Sequence, residues 1–496
     1  MKKPKVIIIG AGIGGITAAT HLAQRGCHVT VYEKNDQPGG RVDFIRRDGH
    51  SFDTGPTLLV MPLLYDSEFQ ALGTSLSESL DLVRVDPTYH LVFDDGSRLE
   101  LTSDLKKLQN QLEEIEPGST DGLLRYLEEV HRHYYQGVKG FVKQDFRTLF
   151  DFIHPRNIPL IFQVKPFTKH YRNMRRYFKN SRLKSAFTFQ DVYMGLSPFD
   201  GPATFSLMPY SELAHGVYYP KGGMYTIVEV LMDLARKAGV EFVFDEEVLQ
   251  IHSSGTRVSG ISSVEYQNLE ADLILANADL PYTVQQLLPD SVYARRLEHK
   301  RYSCSTFSFF WAVDKTYPQL APHTLFLADD YKENFDSIID NYTLPDNPSI
   351  YIHAPARLDP SMAPEGQDTL IGIAPVGHIT DKVEQDWVEL RERARREILN
   401  KMALLGINDL EEHIKFETSF IPPSWKNRYN LAKGATHGLS HNLFQLGWFR
   451  PDFQHPRYKN LYFTGASTRP GTGLPTAMVS GRMAANRICE DLGISF

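Results

Sequence analysis

At 496 residues the chain is too long for one hydrophobic core, and its 42% hydrophobic and 23% charged residues exclude a fibrous or disordered protein. The net charge of −7 offers no general field for a phosphate backbone, so no nucleic-acid partner is expected. Cys27, Cys304 and Cys489 are scattered without metal-ligand spacing or a pairing pattern, which reads as reduced intracellular thiols with no metal site.

Met1-Lys2-Lys3 followed by an apolar run has the outline of a leader peptide. The apolar run is only Val6–Ile9 with Lys5 before it, below the about 7–15 residues of a leader core, so a strand is expected. No run approaches the ~18 apolar residues of a membrane-spanning helix. The strand opens into Gly10-Ala11-Gly12-Ile13-Gly14-Gly15, and an apolar-periodic stretch follows through Ile16, Ala19, Leu22 and Ala23. A second strand, His28–Tyr32, ends at Glu33. This is the strand–turn–helix–strand setting of a dinucleotide fingerprint. Gly10 serves the tight turn, Gly12 the approach of backbone to a pyrophosphate, and Gly15 the packing of helix on strand. Free N–H groups at the helix start face the phosphates. Glu33 stands where an acid accepts hydrogen bonds from ribose hydroxyls, which points to FAD or NAD rather than NADP.

Gln37-Pro38-Gly39-Gly40-Arg41 follows, with Arg41 either neutralising the pyrophosphate or standing in a solvated loop. Asp48-Gly49 predicts a hairpin turn leading to Phe52–Asp53 and then Gly55-Pro56-Thr57, where backbone approaches a ligand. A second hairpin, His90–Phe93 with Arg98–Leu101, begins another sheet. Helices are predicted over 104–135, broken at Pro117-Gly118, with Ser119 or Thr120 capping the second. The segment 139–184 holds twelve Lys or Arg against Asp145 and Asp151, a local charge of +10 that leaves −17 for the rest. Nine aromatics interleave with those cations, Phe141, Phe150, Phe162 and Phe167 among them. The composition suits the headgroup region of an anionic bilayer. A solvated helical face and an RNA surface are the alternatives.

From Tyr218 the pattern returns to α/β: a helix over 226–237, strands near 240–244, 248–252 and 258–263, and the buried strand 272–279. Strands near 305–313, 349–353 and 369–373 and a long polar helix, about 381–404, belong to an inserted part. The chain closes with a strand near 460, the turn Gly465–Gly473 and a helix to about Asp491. That is a second glycine-rich helix start able to hold a ligand.

These motifs together resemble the carotenoid desaturases of the bacterial phytoene-desaturase type, within the FAD amine-oxidase-like superfamily. The matching stretches are Gly10–Gly15, Glu33, Pro38–Arg41, Phe52–Thr57, Tyr219–Met224, Ala271–Asp279, Gly434–Gly438, Phe449-Arg450-Pro451 and Leu461–Gly481. Thr464–Gly473 is the most specific, and it favours FAD over NAD. Arg469 stands where the family commonly has His, and Thr476 where it has Gly. The implied fold class is α/β, with a discontinuous Rossmann-like FAD-binding domain (1–85, 215–295, 440–496). An inserted mixed α+β substrate-binding domain (86–138, 296–439) and a membrane-associating helical subdomain (139–214) complete it.

The cofactor set that the resemblance implies is Gly10, Gly12, Gly14, Gly15, Glu33, Lys34, Gly40, Arg41, Gly55, Pro56, Thr57, Val248, Asn277 and Asp279, together with Gly465, Ala466, Gly473, Leu474, Pro475 and Thr476. It further implies non-covalent FAD and desaturation of a C40 or C30 polyene by hydride loss to the flavin and proton loss. It also implies quinone or O2 as electron acceptor and peripheral attachment to the cytoplasmic side of a membrane, in bacteria the plasma membrane. Asp151 is the candidate proton acceptor, with a surface ion pair as its alternative reading. His437 and Arg469 read as structural or cofactor-positioning residues. A carotene cis–trans isomerase using reduced FAD and a flavin-less prenyl- or lipid-binding escort protein are the other functions considered.

Overall fold

The computed structural model describes residues 3–288 and 291–494. The Met1-Lys2 head of the leader-like stretch, and positions 289–290 and 495–496 of the expected FAD-binding pieces, lie outside the described residues.

Strands far apart in the chain meet in one parallel sheet, ordered Leu461–Phe463, Leu273–Ala276, Lys5–Ile9, His28–Tyr32, Glu241–Val243. Ile7 lies in register between Ile274 and Thr30. Both faces are covered, which is why these strands read as unbroken apolar runs. Val6 and Ile8 pack in the core shared with the helices Ile13–Gln24, Thr226–Lys237 and Leu474–Leu492. Ile7 and Ile9 pack on the opposite side with Val248, Ile251 and Ile261 of a small antiparallel sheet.

A second, seven-stranded sheet runs Ile414–Phe420, Ser305–Val313, Asp368–Val376, Ile350–His353, His323–Leu327, Tyr89–Phe93, Arg98–Leu101. Only the pairing of Tyr89–Phe93 with His323–Leu327 is parallel. Alternation sorts its faces: Phe307, Phe309 and Trp311 join the core with Leu390, Ala394 and Ile398 of the helix Trp387–Met402. That helix starts later than the sequence pattern suggests, because the Asp386 carboxylate accepts from the Val388 and Glu389 N–H groups and caps it there.

The helices Leu105–Ile115 and Ser119–Gly137 form, but neither Ser119 nor Thr120 caps the second. Gly118 takes that place with φ +86°, and the Glu113 carboxylate reaches across to accept from the N–H groups of Gly118 and Thr120. Ser119 is buried, where a cap would have to face the helix start from outside.

The basic-aromatic segment divides in two. Met174, Tyr177, Phe178 and Phe187 are buried in one core with Leu123, Tyr126 and Val130 of the preceding helix, so packing does not break at residue 139. Short helices over Leu149–Phe152 and Ile158–Gln163, and the turn after the second, instead hold apolar side chains in solvent: Phe150 is 81% exposed, Phe162 68% and Phe167 67%. Many of the cations are paired with acids from elsewhere. Lys165 and Arg176 meet Glu129, Arg182 meets Asp95 and Asp329, and Arg147 meets Glu490 and Asp491. Arg172 and Arg175 stay exposed. No helix among the described residues is long and apolar enough to cross a membrane.

Candidate active site

The turn after the first strand is built by the absence of side chains. Gly10 has φ +94°, and a Cβ on Gly15 would stand 2.4 Å from the Gly10 carbonyl oxygen. A Cβ on Gly12 would come 2.8 Å from Asn277 Nδ2, and one on Gly14 2.8 Å from Asn277 Oδ1. Asn277 closes the turn from the neighbouring strand by donating to the Gly10 carbonyl at 3.2 Å. The helix starting at Ile13 has no side-chain cap and no acid in its first turn. Its positive end is therefore open to an anion.

Glu33 is buried and wired to this turn. One carboxylate oxygen accepts the Ala11 N–H at 2.7 Å, and the other accepts two N–H groups of Asn35 at 3.0 Å each. Burial pushes its pKa above the usual carboxylate range, and those hydrogen bonds oppose the shift. Arg41 projects into the same space and donates to the Thr436 carbonyl at 2.6 Å. Asp279, opposite it, accepts from Ser467 Oγ at 2.8 Å and the Ala432 N–H at 3.1 Å.

The closing turn repeats the arrangement. Gly473 precedes the helix Leu474–Leu492 with φ +119° and no side-chain cap. His441 Nε2 accepts the Thr472 N–H at 3.0 Å, and a Cβ on Gly471 would strike that nitrogen at 2.5 Å. Desolvation holds His441 far below the ordinary imidazole pKa, and burial takes His437 down to about 3. Both rings are thus neutral at physiological pH.

All the cofactor residues named above except Gly15, which packs behind the turn, line a single cavity of about 1080 Å³. The two uncapped helix starts, Arg41 and the glycine walls fit a dinucleotide pyrophosphate and ring system there, and Glu33 is the acid that would accept from the ribose. Beyond Thr57 the lining turns apolar. It crosses the second sheet through Ser308, Ile373, Tyr351 and Leu325, which are register neighbours on four successive strands. Tyr351 ties this tunnel to the cradle, its hydroxyl bonded to Thr57 Oγ1 and His323 Nδ1 at 2.7 Å each. The mouth is lined by Ile153, Ile158, Phe162, Phe167, Phe444 and Phe449, each of them also exposed to solvent.

Asp151 lies outside this arrangement. Its carboxylate accepts the Thr148 N–H at 2.8 Å while the Thr148 hydroxyl accepts the Asp151 N–H, a reciprocal cap on the helix Leu149–Phe152. Those bonds hold its pKa below the usual range, and it does not line the cavity. An exposed helix cap cannot reach a proton inside the tunnel. Arg469 is structural: it donates to the carbonyls of Phe146 and Trp448 and pairs with Asp452 at 3.1 Å, in a cluster shared with Asp145 and Arg487. Thr476 Oγ1 donates to the Thr472 carbonyl at 2.7 Å, closing the first turn of the last helix.

Arg450 carries the position that residue patterns leave without a role. It is 1% exposed, and its guanidinium donates to five carbonyls, those of Thr468, Ser440, Gln445, Leu439 and Ala466, at 2.5–3.1 Å. Burial lowers its pKa to about 9, so it stays a cation and clamps 439–445 against 466–468 beneath the cavity wall. An isolated arginine between aromatic and proline carries no local signal for this; its partners come from two loops that only the fold brings together.

The flavin containing amine oxidoreductase family matches residues 13–489. A crystal structure of an oxidoreductase from Methanosarcina mazei shares the fold with TM-score 0.64 at 14% identity, covering 97% of this chain and 100% of that one. A phytoene desaturase of Fusarium fujikuroi is 40% identical over 99% of this chain and 90% of its own length. A 4,4'-diapophytoene desaturase (4,4'-diaponeurosporene-forming) of Staphylococcus haemolyticus is 31% identical over 98% of this chain and 99% of its own length. The fold and the double-ended cradle define a flavin-dependent oxidoreductase with the amine-oxidase FAD-binding fold. Within that class the chain belongs to the bacterial-type carotenoid desaturase family, oxidoreductases of carotenoid biosynthesis.

Proposed function

We propose that this carotenoid desaturase takes a C40 polyene, phytoene or an early product of it, from a membrane surface into the tunnel and dehydrogenates it beside FAD. The observation that carries the reading is the continuity of the cavity. The cradle and the apolar tunnel are one space, and the tunnel mouth is rimmed by exposed Phe and Ile side chains. FAD in the cradle supplies a two-electron acceptor for a CH2–CH2 unit. The chain's own residues do the rest. Gly10, Gly12 and Gly14 admit the pyrophosphate, Arg41 balances its charge, and Glu33 orients the ribose. The sheet row through Ile373 and Leu325 excludes water from the polyene. The higher identity to the phytoene-acting relative than to the diapophytoene-acting one supports C40 over C30.

The finer organisation is part of the same reading. Pieces 1–85, 215–295 and 440–496 hold the cofactor, 86–138 and 296–439 wall the substrate, and the surface of 139–168 meets one leaflet. This seats the protein on the cytoplasmic face of a membrane, with quinone or O2 reoxidising the flavin. The test is to incubate the FAD-loaded protein with phytoene in vesicles and resolve the products by absorbance. New bands at longer wavelength are expected with phytoene and weaker ones with the C30 analogue. Geometric isomers formed without added conjugation would instead identify an isomerase, and a colourless protein that cannot be reconstituted with FAD would identify an escort.

A further inference from the structure

The tunnel has an end, and the end is built in a particular way. Past Leu325 and Leu327 its lining finishes on Tyr331 and Phe335, one helical turn apart on the helix Tyr331–Ile339. Their rings meet edge to face at 5.2 Å, and they are 5% and 7% exposed. Behind them stands a second aromatic layer that does not line the cavity. Phe199 lies 5.8 Å from Tyr331 and 6.3 Å from Phe335, and Tyr171 lies 4.5 Å from Phe199. Lys332 and Lys184 cover the outer faces of Phe199 and Tyr171. The wall is thus two rings thick between the tunnel and charged surface.

Among the described residues no charged group lines this end. The Tyr331 hydroxyl is turned to Thr188 Oγ1 at 3.5 Å, and the Ser349 hydroxyl accepts the Ala328 N–H at 3.1 Å. A carboxylate, amine or phosphate terminus would be stranded there without a partner, whereas a hydrocarbon terminus would not. The distance from the cradle is fixed by the sheet. Three strand spacings of about 4.8 Å separate the Ser308 strand from the Leu325 strand, roughly 14 Å of travel across a rigid surface.

We propose that Tyr331 and Phe335 are the stop against which the hydrocarbon terminus of the substrate seats. The depth of this stop then sets which CH2–CH2 unit lies beside the cofactor, and so the distribution of desaturation products. The proposal rests on the polyene reading above and adds the residues that select the position.

Phe335→Ala deepens the tunnel and Phe335→Trp shortens it. Each is prepared as the FAD-loaded full chain, with flavin content and thermal midpoint measured first. Products from phytoene vesicles are then separated by number of conjugated double bonds, and phytoene binding is followed separately by quenching of intrinsic fluorescence. The ratio of later to earlier products should move severalfold in opposite directions in the Ala and Trp variants. The Trp variant should also bind phytoene severalfold more weakly at unaltered flavin content. Ala and Trp variants that match the wild-type product ratio while the wild type is active overturn the stop. A wild type without turnover defeats the functional reading alone, because binding still decides the stop: phytoene bound equally by the Trp variant and the wild type overturns it.

Discussion

In the nucleotide cradle shape is made by backbone, and at the tunnel mouth it is made by side chains. The cradle glycines carry hypothetical Cβ atoms that would strike backbone, Asn277 or His441, beside the buried Glu33 carboxylate and above the buried Arg450 guanidinium. The mouth is a set of short helices and turns showing Phe and Ile to solvent, with rings that touch one another loosely, Phe162 against Phe167 at 6.4 Å and Phe444 against Phe449 at 6.0 Å. A rigid site tolerates no added atom because nothing around it can yield. A surface that works by total apolar area tolerates exchange of one residue for another. The two regions should therefore respond to mutation with different magnitudes and different additivity.

The largest effect is expected at Gly15. Gly15→Ala places a methyl group 2.4 Å from the Gly10 carbonyl, so the strand and helix must part. The variant should purify without flavin, or fail to fold, as read by absorbance near 450 nm and by circular dichroism; full flavin occupancy would break the comparison at its strongest point. Arg450→Met comes next, since it leaves the buried carbonyls of Thr468, Gln445, Leu439 and Ala466 without a donor, while Ser440 keeps the Gln445 amide. A loss of at least about 3 kcal/mol in unfolding free energy is expected, measurable in denaturant. Glu33→Ala removes the acceptor for the Ala11 and Asn35 N–H groups as well as the ribose partner. FAD retention should weaken by roughly 1.5–3 kcal/mol, about 10- to 150-fold in the dissociation constant, followed by flavin release on dilution. The mouth should show the smallest single effects. Phe150→Ser and Phe162→Ser should each lower liposome partitioning by up to about 2 kcal/mol, the double variant by close to the sum, with flavin content untouched. Sedimentation with vesicles checks this, and no change in the double variant would remove the membrane role of that surface.

The Asp151 reading shows where residue patterns mislead. An acid among cations and aromatics stands out in a sequence, but Thr148 three residues earlier already accounts for it as a cap. The same segment read as a strong positive field is partly neutralised by Glu129, Asp95, Asp329, Glu490 and Asp491, all distant in sequence. Composition counts charges; it does not pair them.

The sequence by itself determined the two turns of the cradle: Gly10–Gly15 followed by Glu33, and Gly471–Thr476. Turn geometry, helix starts and close backbone approach are set within a few residues of chain, so each leaves a local pattern. Only the tertiary structure decided the tunnel, its mouth, its aromatic end and the Arg450 clamp. Ser308, Ile373, Tyr351 and Leu325 become neighbours through strand register alone. The apolar residues facing the polyene space read the same in sequence as those facing the core, because alternation reports which residues share a face and not what the face is turned towards.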